Sequence, residues 1–311
     1  MRLVPCRGLP FVTAVSLLLG LLPAQQQADP PAASAPVAAE KPAAKFTVAI
    51  VGASVSAGFV DTVLAGGSAD NESVPLLRLV RPWLEDLDAV VASRADLAMF
   101  LDPLERGRKQ VEQSLKAQPS LVVGIDFLFW FGYGSVPRKL VEQHGTEPAA
   151  RLATLESGLA LLERFECPVV VGDFPDMSGA SQRMLRAAQI PDAATRAKLN
   201  GRVSQWAMGR PNVRVVGLAP MVAQMKTQGV TMELAGGALQ VPPGGLLQGD
   251  KLHVNRLGMA WVGHQLQEFL HVHRDDKTFV LPQLPRWTID RFVAAAGAEP
   301  AVEALRAAAR R

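Results

Sequence analysis

Short apolar runs alternate with amphipathic stretches along most of the chain, and this alternation predicts the secondary structure. The runs are short and rich in β-branched residues, as is typical of strands buried on both faces of a parallel sheet. We predict five such strands, at 46–51, 89–92, 121–125, 167–172 and 213–216. A further strand at 238–241 lies in a glycine-rich stretch, which predicts a hairpin or an irregular arm.

Between these runs, apolar residues recur at helical spacing. The predicted helices span 74–87, 103–116, 147–165, 191–208, 219–227 and 257–271. Strands that alternate with helices predict an α/β fold in which a five-stranded parallel sheet is covered on both faces. Short right-handed crossovers then align the carboxyl ends of the strands along one edge of the sheet.

The first 45 residues have a different character. Residues 1–24 carry Arg2 and Arg7 before an apolar stretch and end at Ala24, which is typical of a secretory signal peptide cleaved near Ala24. The alternative is an uncleaved anchor, although the apolar stretch is shorter than the roughly 20 residues that a membrane span needs. Residues 25–45 are rich in Ala, Pro and Gln and predict a disordered tether. We therefore expect an exported protein, periplasmic or secreted, with no stable membrane span after cleavage.

The rest of the chain has the composition of a globular protein. With 311 residues, 49% of them hydrophobic and 20% charged, one domain with extensions is expected. We place that domain at 46–274 and a C-terminal helical extension at 275–311. The formal charge of +3 and the lack of a basic run interleaved with aromatics give no reason to expect a nucleic-acid partner. One cysteine outside the leader and five scattered histidines predict no metal site.

Ser54 follows the first predicted strand at the edge where open α/β sheets bind their ligands. Gly52 and Ala53 precede it and Gly58 follows, so the backbone can turn tightly and leave the hydroxyl accessible. Asp126, Asp173 and Asp250 are predicted near the same edge. Ser54 is either a nucleophile or an ordinary N-cap of the next helix.

Asp250 and His253 lie three residues apart on one loop, far along the chain from Ser54. A serine nucleophile needs a base, and the base needs a group that orients it. At this spacing the Asp250 carboxylate can reach one ring nitrogen of His253 and leave the other for Ser54. The same pair would also fit a turn aspartate followed by a surface histidine.

Three segments resemble the motifs of the GDSL/SGNH hydrolases. Residues 52–58, GASVSAG, resemble the family's first motif, Gly-Asp-Ser-hydrophobic-Ser-x-Gly. Residues 250–255, DKLHVN, together with Gly258, resemble its last motif, Asp-x-x-His followed by Asn and Gly. Residues 121–126 stand where the family has a strand that ends in Gly-x-Asn-Asp. The resemblance extends from residue 46 to about 271.

This resemblance implies a flavodoxin-like three-layer sandwich and the hydrolysis of an ester or acyl bond without a metal or other cofactor. It implies that Ser54 is the nucleophile, His253 the general base and Asp250 its orienting partner, with the Ser54 backbone N–H as a donor to the oxyanion. The expected substrate is a small-molecule or glycan ester, such as an acetylated cell-surface sugar, or a lipid.

The chain departs from the family in its two middle motifs. The second motif has no clear counterpart, and residues 93–96, which include Ala95, are the nearest segment. In the third motif, Asp126 stands where the family has an asparagine that donates to the oxyanion. An ionised carboxylate cannot donate and would repel the developing charge. Asp126 would have to be protonated through burial among the neighbouring aromatics, or have another role.

Gly52, Ala95 and Asp126 therefore remain candidate oxyanion or substrate residues, and two functions stay open. One is a serine esterase; the other is a catalytically impaired relative that uses the fold for binding or as a scaffold. The aromatic segment 127–134, FLFWFGYG, is likewise open to two interpretations, as lid or core packing and as part of a substrate site.

Overall fold

The computed structural model describes residues 45–59, 72–274 and 276–311. The predicted signal peptide and nearly all of the predicted tether lie outside these residues. Seven strands are present: β1 Thr47–Ile50, β2 Val90–Ser93, β3 Leu121–Gly124, β4 Val169–Gly172, β5 Val213–Val216, β6 Val230–Leu234 and β7 Gly237–Val241.

Five of these strands form one parallel sheet in the order β2-β1-β3-β4-β5. This is the flavodoxin-like order, in which the chain reverses direction across the sheet beside β1. Val48 pairs with Val91 on one side and with Leu121 on the other, so β1 is an interior strand. Strands β6 and β7 form a separate antiparallel hairpin, as the glycine-rich stretch predicts. The predicted fold class is confirmed.

The helices mostly follow the predicted spans. They are α1 Ser54–Ala57, α2 Leu76–Trp83, α3 Pro103–Lys116, α4 Phe129–Gly132, α5 Arg138–His144, α6 Glu147–Leu162, α7 Ala193–Met208, α8 Leu218–Thr227, α9 Arg256–His273, α10 Ile289–Ala296 and α11 Glu299–Ala309. The helix predicted at 74–87 is shorter because Pro82 lies in its last turn, and a 3₁₀ turn at Glu85–Leu87 follows. Helices α4 and α5 were not predicted.

Alternate side chains of the interior strands β1, β3 and β4 enter two separate cores, one on each face of the sheet. Val48 and Ile50 point into a core formed with α2, α9 and α10, whereas Ala49 and Val51 point into one formed with α3, α6 and α7. A period of two in a fully buried strand produces this division. It explains why the strand sequences are continuously apolar.

The C-terminal extension is part of the first of these cores. Phe279 and Phe292 are almost completely buried, and the Phe292 ring packs against Trp83 and Trp287. Gly263 of α9 allows close contact, because a Cβ there would lie 3.0 Å from the Phe292 ring. The extension therefore supports α2 and α9.

We expect Phe292→Ala to lower the free energy of unfolding by about 3–5 kcal/mol, since it removes a buried aromatic ring and leaves a cavity. Urea denaturation measures this loss. Val280→Ala in the same extension is the control, because Val280 is 69% exposed and its truncation should change stability by less than about 0.5 kcal/mol. Equal effects of the two substitutions would contradict a structural role for the extension.

Within the part of the chain that the structure describes, no helix combines the length and the apolar character that crossing a bilayer requires.

Candidate active site

The turn after β1 is held by a buried glutamine on α3. The Gly52 N–H donates to Gln110 Oε1 at 2.7 Å, and Gln110 Nε2 donates to the Gly52 carbonyl at 3.0 Å. Gly52 has φ +150°, and a Cβ at this position would lie 2.1 Å from Asp126 Oδ1. Glycine is therefore required here by both conformation and space. Gln110 was not predicted as a site residue. The sequence indicates it only by placing a polar residue next to Val111, on the buried face of α3.

Ser54, His253 and Asp250 form one hydrogen-bonded chain. His253 Nε2 lies 2.9 Å from Ser54 Oγ, and His253 Nδ1 lies 2.6 Å from Asp250 Oδ2. Asp250 and His253 are buried, and Ser54 is half-buried at the start of α1. The structure thus brings together the three residues for which the sequence predicted a triad.

The Asp250 loop is shaped by the same carboxylate. Asp250 Oδ1 accepts the backbone N–H groups of Leu252 and His253 at 2.9 and 3.0 Å. Burial alone would raise the pKa of Asp250, but the hydrogen bond from His253 and those backbone groups outweigh it and lower the pKa below its usual value. An ionised Asp250 accepts from Nδ1–H, so Nε2 carries the lone pair that faces Ser54.

An aromatic ring covers the imidazole. Phe59 stacks on His253 with ring centroids 3.9 Å apart and an interplanar angle of 21°. The Phe59 carbonyl accepts from Gln248 Nε2 at 2.9 Å, and this same amide group also donates to the Val254 carbonyl. The loop after Ser54 and the loop that carries His253 are therefore joined. Phe59 was not predicted, because nothing in its local sequence indicates a contact so distant.

Asp126 lies at the end of β3 and binds the turn that carries Ser54. Its Oδ2 accepts the N–H of Val55 at 2.8 Å and the N–H of Ser56 at 3.3 Å, and its Oδ1 lies 2.5 Å from Ser56 Oγ. Because N–H groups only donate, Oδ2 must accept. A proton on Oδ1 would lie toward Ser56. In either protonation state the carboxyl group serves the turn, which differs from the oxyanion donor that the sequence left open.

Three other groups were expected near the reacting centre: the Ser54 N–H, Ala95 and Asp173. The Ser54 N–H makes no hydrogen bond to any other described residue, so it is free to donate to a ligand. The Ala95 N–H is directed to Ser93 Oγ at 3.3 Å. Asp173 does not join the site, because its Oδ1 accepts the Ala219 N–H at the start of α8. Among the residues that the structure describes, no group of three or more His, Cys, Asp or Glu could hold a metal ion.

Several solved structures are similar to this chain. One is TesA, at 15% identity and a TM-score of 0.40, covering 72% of this chain and 97% of its own. The psychrotrophic esterase EstA from Pseudoalteromonas sp. has 10% identity and a TM-score of 0.42, with 73% and 97% covered. A GDSL-like lipase from Bacteroides thetaiotaomicron has 12% identity and a TM-score of 0.38, with 74% and 89% covered. No protein-family model and no curated protein sequence matches the chain.

The fold is identified by the strand order of the parallel sheet, 2-1-3-4-5. It is the flavodoxin-like order that the motif resemblance implies. The chain therefore has a flavodoxin-like α/β fold. Asp126 stands where the third GDSL/SGNH motif has an asparagine, and its oxygens bind the turn that carries Ser54.

A narrow apolar cavity opens beside Ser54. Its volume is about 60 Å³, several times the roughly 10–15 Å³ that one water needs. Apart from Ser54, His253 and Asp126 its lining is apolar, and it includes Met177, Met221, Met225, Leu218, Val222 and Phe129. Such a cavity suits a short hydrocarbon chain. Phe129 lines this cavity and packs against the core in which its neighbours Phe127 and Phe131 are buried.

The pH dependence of stability tests the environment of Asp126. Burial, opposed in part by the hydrogen bonds from Ser56 and from backbone N–H groups, raises the pKa of Asp126 above its usual 3.8. A carboxyl group with a raised pKa contributes its full stability below the unfolded pKa and loses it as the pH rises through the folded value. We expect Asp126→Asn, which cannot ionise, to gain stability relative to the wild type as the pH rises from about 4, the pKa of an unfolded aspartate, towards neutrality.

Urea unfolding across this range measures the difference. Asp88→Asn is the control, because the Asp88 side chain is 81% exposed and its replacement should show little such trend. Asp126→Ala should lose stability at every pH, since it leaves Val55 N–H, Ser56 N–H and Ser56 Oγ without their partner. A difference between Asp126→Asn and wild type that stays constant with pH would contradict the prediction.

Proposed function

We propose that this protein is a serine esterase of the GDSL/SGNH type that cleaves a carboxylic ester. The observation that carries the proposal is the continuous chain of hydrogen bonds from Ser54 Oγ through His253 to Asp250. Its distances lie within the range that proton transfer between a nucleophile and its base requires. The narrow apolar cavity beside Ser54 supports a short acyl group on the substrate.

In the proposed reaction, His253 Nε2 takes the proton of Ser54 Oγ as this oxygen attacks the ester carbonyl. Asp250 holds the imidazole in the required tautomer and stabilises the imidazolium that forms. The Ser54 N–H donates to the oxyanion of the tetrahedral intermediate. The intermediate then expels the alcohol, which receives the proton from His253. A water molecule, activated by the same histidine, hydrolyses the acyl-Ser54 and releases the carboxylic acid.

A second function, binding without catalysis, is favoured by one specific observation. Asp126 offers acceptors where the family has an amide that donates, which leaves the Ser54 N–H as the oxyanion donor that the proposal can name. The loss of one oxyanion donor typically lowers the rate by about 10²–10³-fold. A slow esterase and an inactive binding protein of the same fold therefore have to be distinguished by experiment.

We expect wild-type protein to hydrolyse para-nitrophenyl acetate and Ser54→Ala to reduce this activity by at least about 10⁴-fold, since the nucleophile is lost. Asp250→Asn should produce a loss of similar size, because the imidazole would lose its orienting acceptor. Initial rates from absorbance measure both. Circular dichroism should show an unchanged fold.

Ser135→Ala is a matched control, because Ser135 is exposed and lines neither cavity beside Ser54. It should retain wild-type activity. A wild type that turns over no member of a broad panel of esters, or a Ser54→Ala variant as active as wild type, would favour the binding protein instead.

We further propose export, on the basis of the charged start and apolar stretch within residues 1–24. Expression of the full chain in a bacterial host should yield a mature protein that begins just after Ala24, as measured by N-terminal sequencing. A protein that reaches the periplasm and still begins at Met1 would indicate an uncleaved anchor.

A further inference from the structure

A second, wider cleft also opens onto Ser54 and His253. Its volume is about 520 Å³, and it shares Ser54, Leu252 and His253 with the narrow cavity. The two spaces therefore meet at the proposed nucleophile. An ester bound at Ser54 has two parts, and the narrow apolar cavity suits the acyl part. The wide cleft is then available to the alcohol part.

The two walls of this cleft differ in chemistry. One is apolar and unusually exposed: Leu97 is 48% and Phe100 54% exposed, and the Phe100 ring lies 5.8 Å from that of Trp130. The other wall is the segment 182–189, with Gln182, Arg183, Arg186 and Gln189. No aspartate or glutamate of the described chain lines the cleft.

The polar wall offers hydrogen-bond donors and positive charge. Gln182 Oε1 accepts the Ala187 N–H, and Gln189 Oε1 accepts the Arg186 N–H, both at 2.9 Å. Each amide thus uses its acceptor internally and keeps its NH₂ group. The guanidinium groups of Arg183 and Arg186 form no ion pair with any carboxylate that the structure describes. Arg151 and Arg196, by contrast, pair with Glu147 and Asp176.

This wall is fixed relative to the triad. The Ser181 N–H donates to the Asp250 carbonyl at 2.8 Å, so the segment begins on the loop that carries the catalytic aspartate. At its other end the Gly134 N–H donates to the Gln189 carbonyl at 2.9 Å, and the buried Arg151 donates to the Ala188 carbonyl at 3.3 Å. A wall held at both ends keeps the two arginines beside the reacting centre.

We propose that Arg183 and Arg186 bind an anionic group in the alcohol part of the substrate, with the apolar wall against its nonpolar portion. The proposal rests on the esterase function argued above. Guanidinium groups match carboxylates, sulfates and phosphates through paired N–H donors, and no described carboxylate competes for them. Hydrolysis then consumes one water and releases a carboxylic acid and an alcohol that retains the anion.

Two acetate esters, one with a charged and one with a neutral leaving group, test this. Para-acetoxybenzoate carries a carboxylate on its leaving group, and para-acetoxybenzamide carries a neutral amide of similar shape. We expect wild type to show a higher kcat/KM for the benzoate. Arg183→Ala and Arg186→Ala should each lower that value about fivefold to tenfold, mainly through KM, and change the benzamide value less than about twofold. The preference should weaken between about 0.01 M and 0.15 M salt.

Arg94→Ala is the matched control, because Arg94 is an exposed arginine just after β2 that does not line the cleft. This substitution should leave kcat/KM unchanged for both esters. Replacement by lysine at 183 or 186 should restore part of the preference, since the charge returns without the paired donors. Equal effects of an arginine substitution on both esters, or a wild type without preference, would overturn the proposal while leaving the esterase function intact.

A calorimetric titration of the Ser54→Ala protein with para-acetoxybenzoate tests the anion site independently of the esterase function. We expect saturable binding that weakens in the Ser54→Ala/Arg183→Ala and Ser54→Ala/Arg186→Ala double variants. Binding with no turnover by wild type would support the anion site and overturn the esterase. Binding that is unchanged by either arginine substitution would overturn the anion site.

Discussion

The position of the Ser54 turn depends on one buried carboxylate. Asp126, at the end of β3, accepts from two successive backbone N–H groups and contacts the Ser56 hydroxyl. These are orphan donors at the start of a helix of only four residues, which has no capping side chain of its own. A neighbouring strand thus provides the cap that α1 lacks. This arrangement requires glycine at position 52, because Asp126 occupies the space that a Cβ would need.

The same solution creates an electrostatic problem at the proposed reaction centre. Asp126 and Asp250 both lie close to Ser54, and negative charge on either disfavours an oxyanion there. Asp250 is balanced when His253 becomes protonated, whereas Asp126 is bonded to neutral groups alone. Burial raises the pKa of Asp126, which disfavours its ionised form and so lessens this effect.

The sequence predicted the features that depend on residues close together along the chain. Continuous apolar runs placed the five parallel strands to within one or two residues, and the spacing of Asp250 and His253 anticipated their shared turn. It could not predict contacts between distant segments. Gln110 on Gly52, Phe59 on His253 and Ser181 on the Asp250 carbonyl each join elements that only the folded sheet brings together. Asp126 shows the limit most clearly. The sequence showed that an aspartate stands in place of an asparagine, but it did not show which groups this aspartate would bond.

The C-terminal extension bears on the site through α9. This helix begins at Arg256, directly after the Asp250–His253 loop, and Asn255 caps it by accepting the Gly258 N–H at 2.9 Å. Arg256 reaches the carbonyl of Gly297 in the extension, and α10 packs along the same helix through Phe292. The loop with the proposed base is therefore fixed at its start by Ser181 and at its end by a helix that the extension supports. Without that support α9 would expose an apolar face, and the constraint that aligns His253 with Ser54 would weaken at one end.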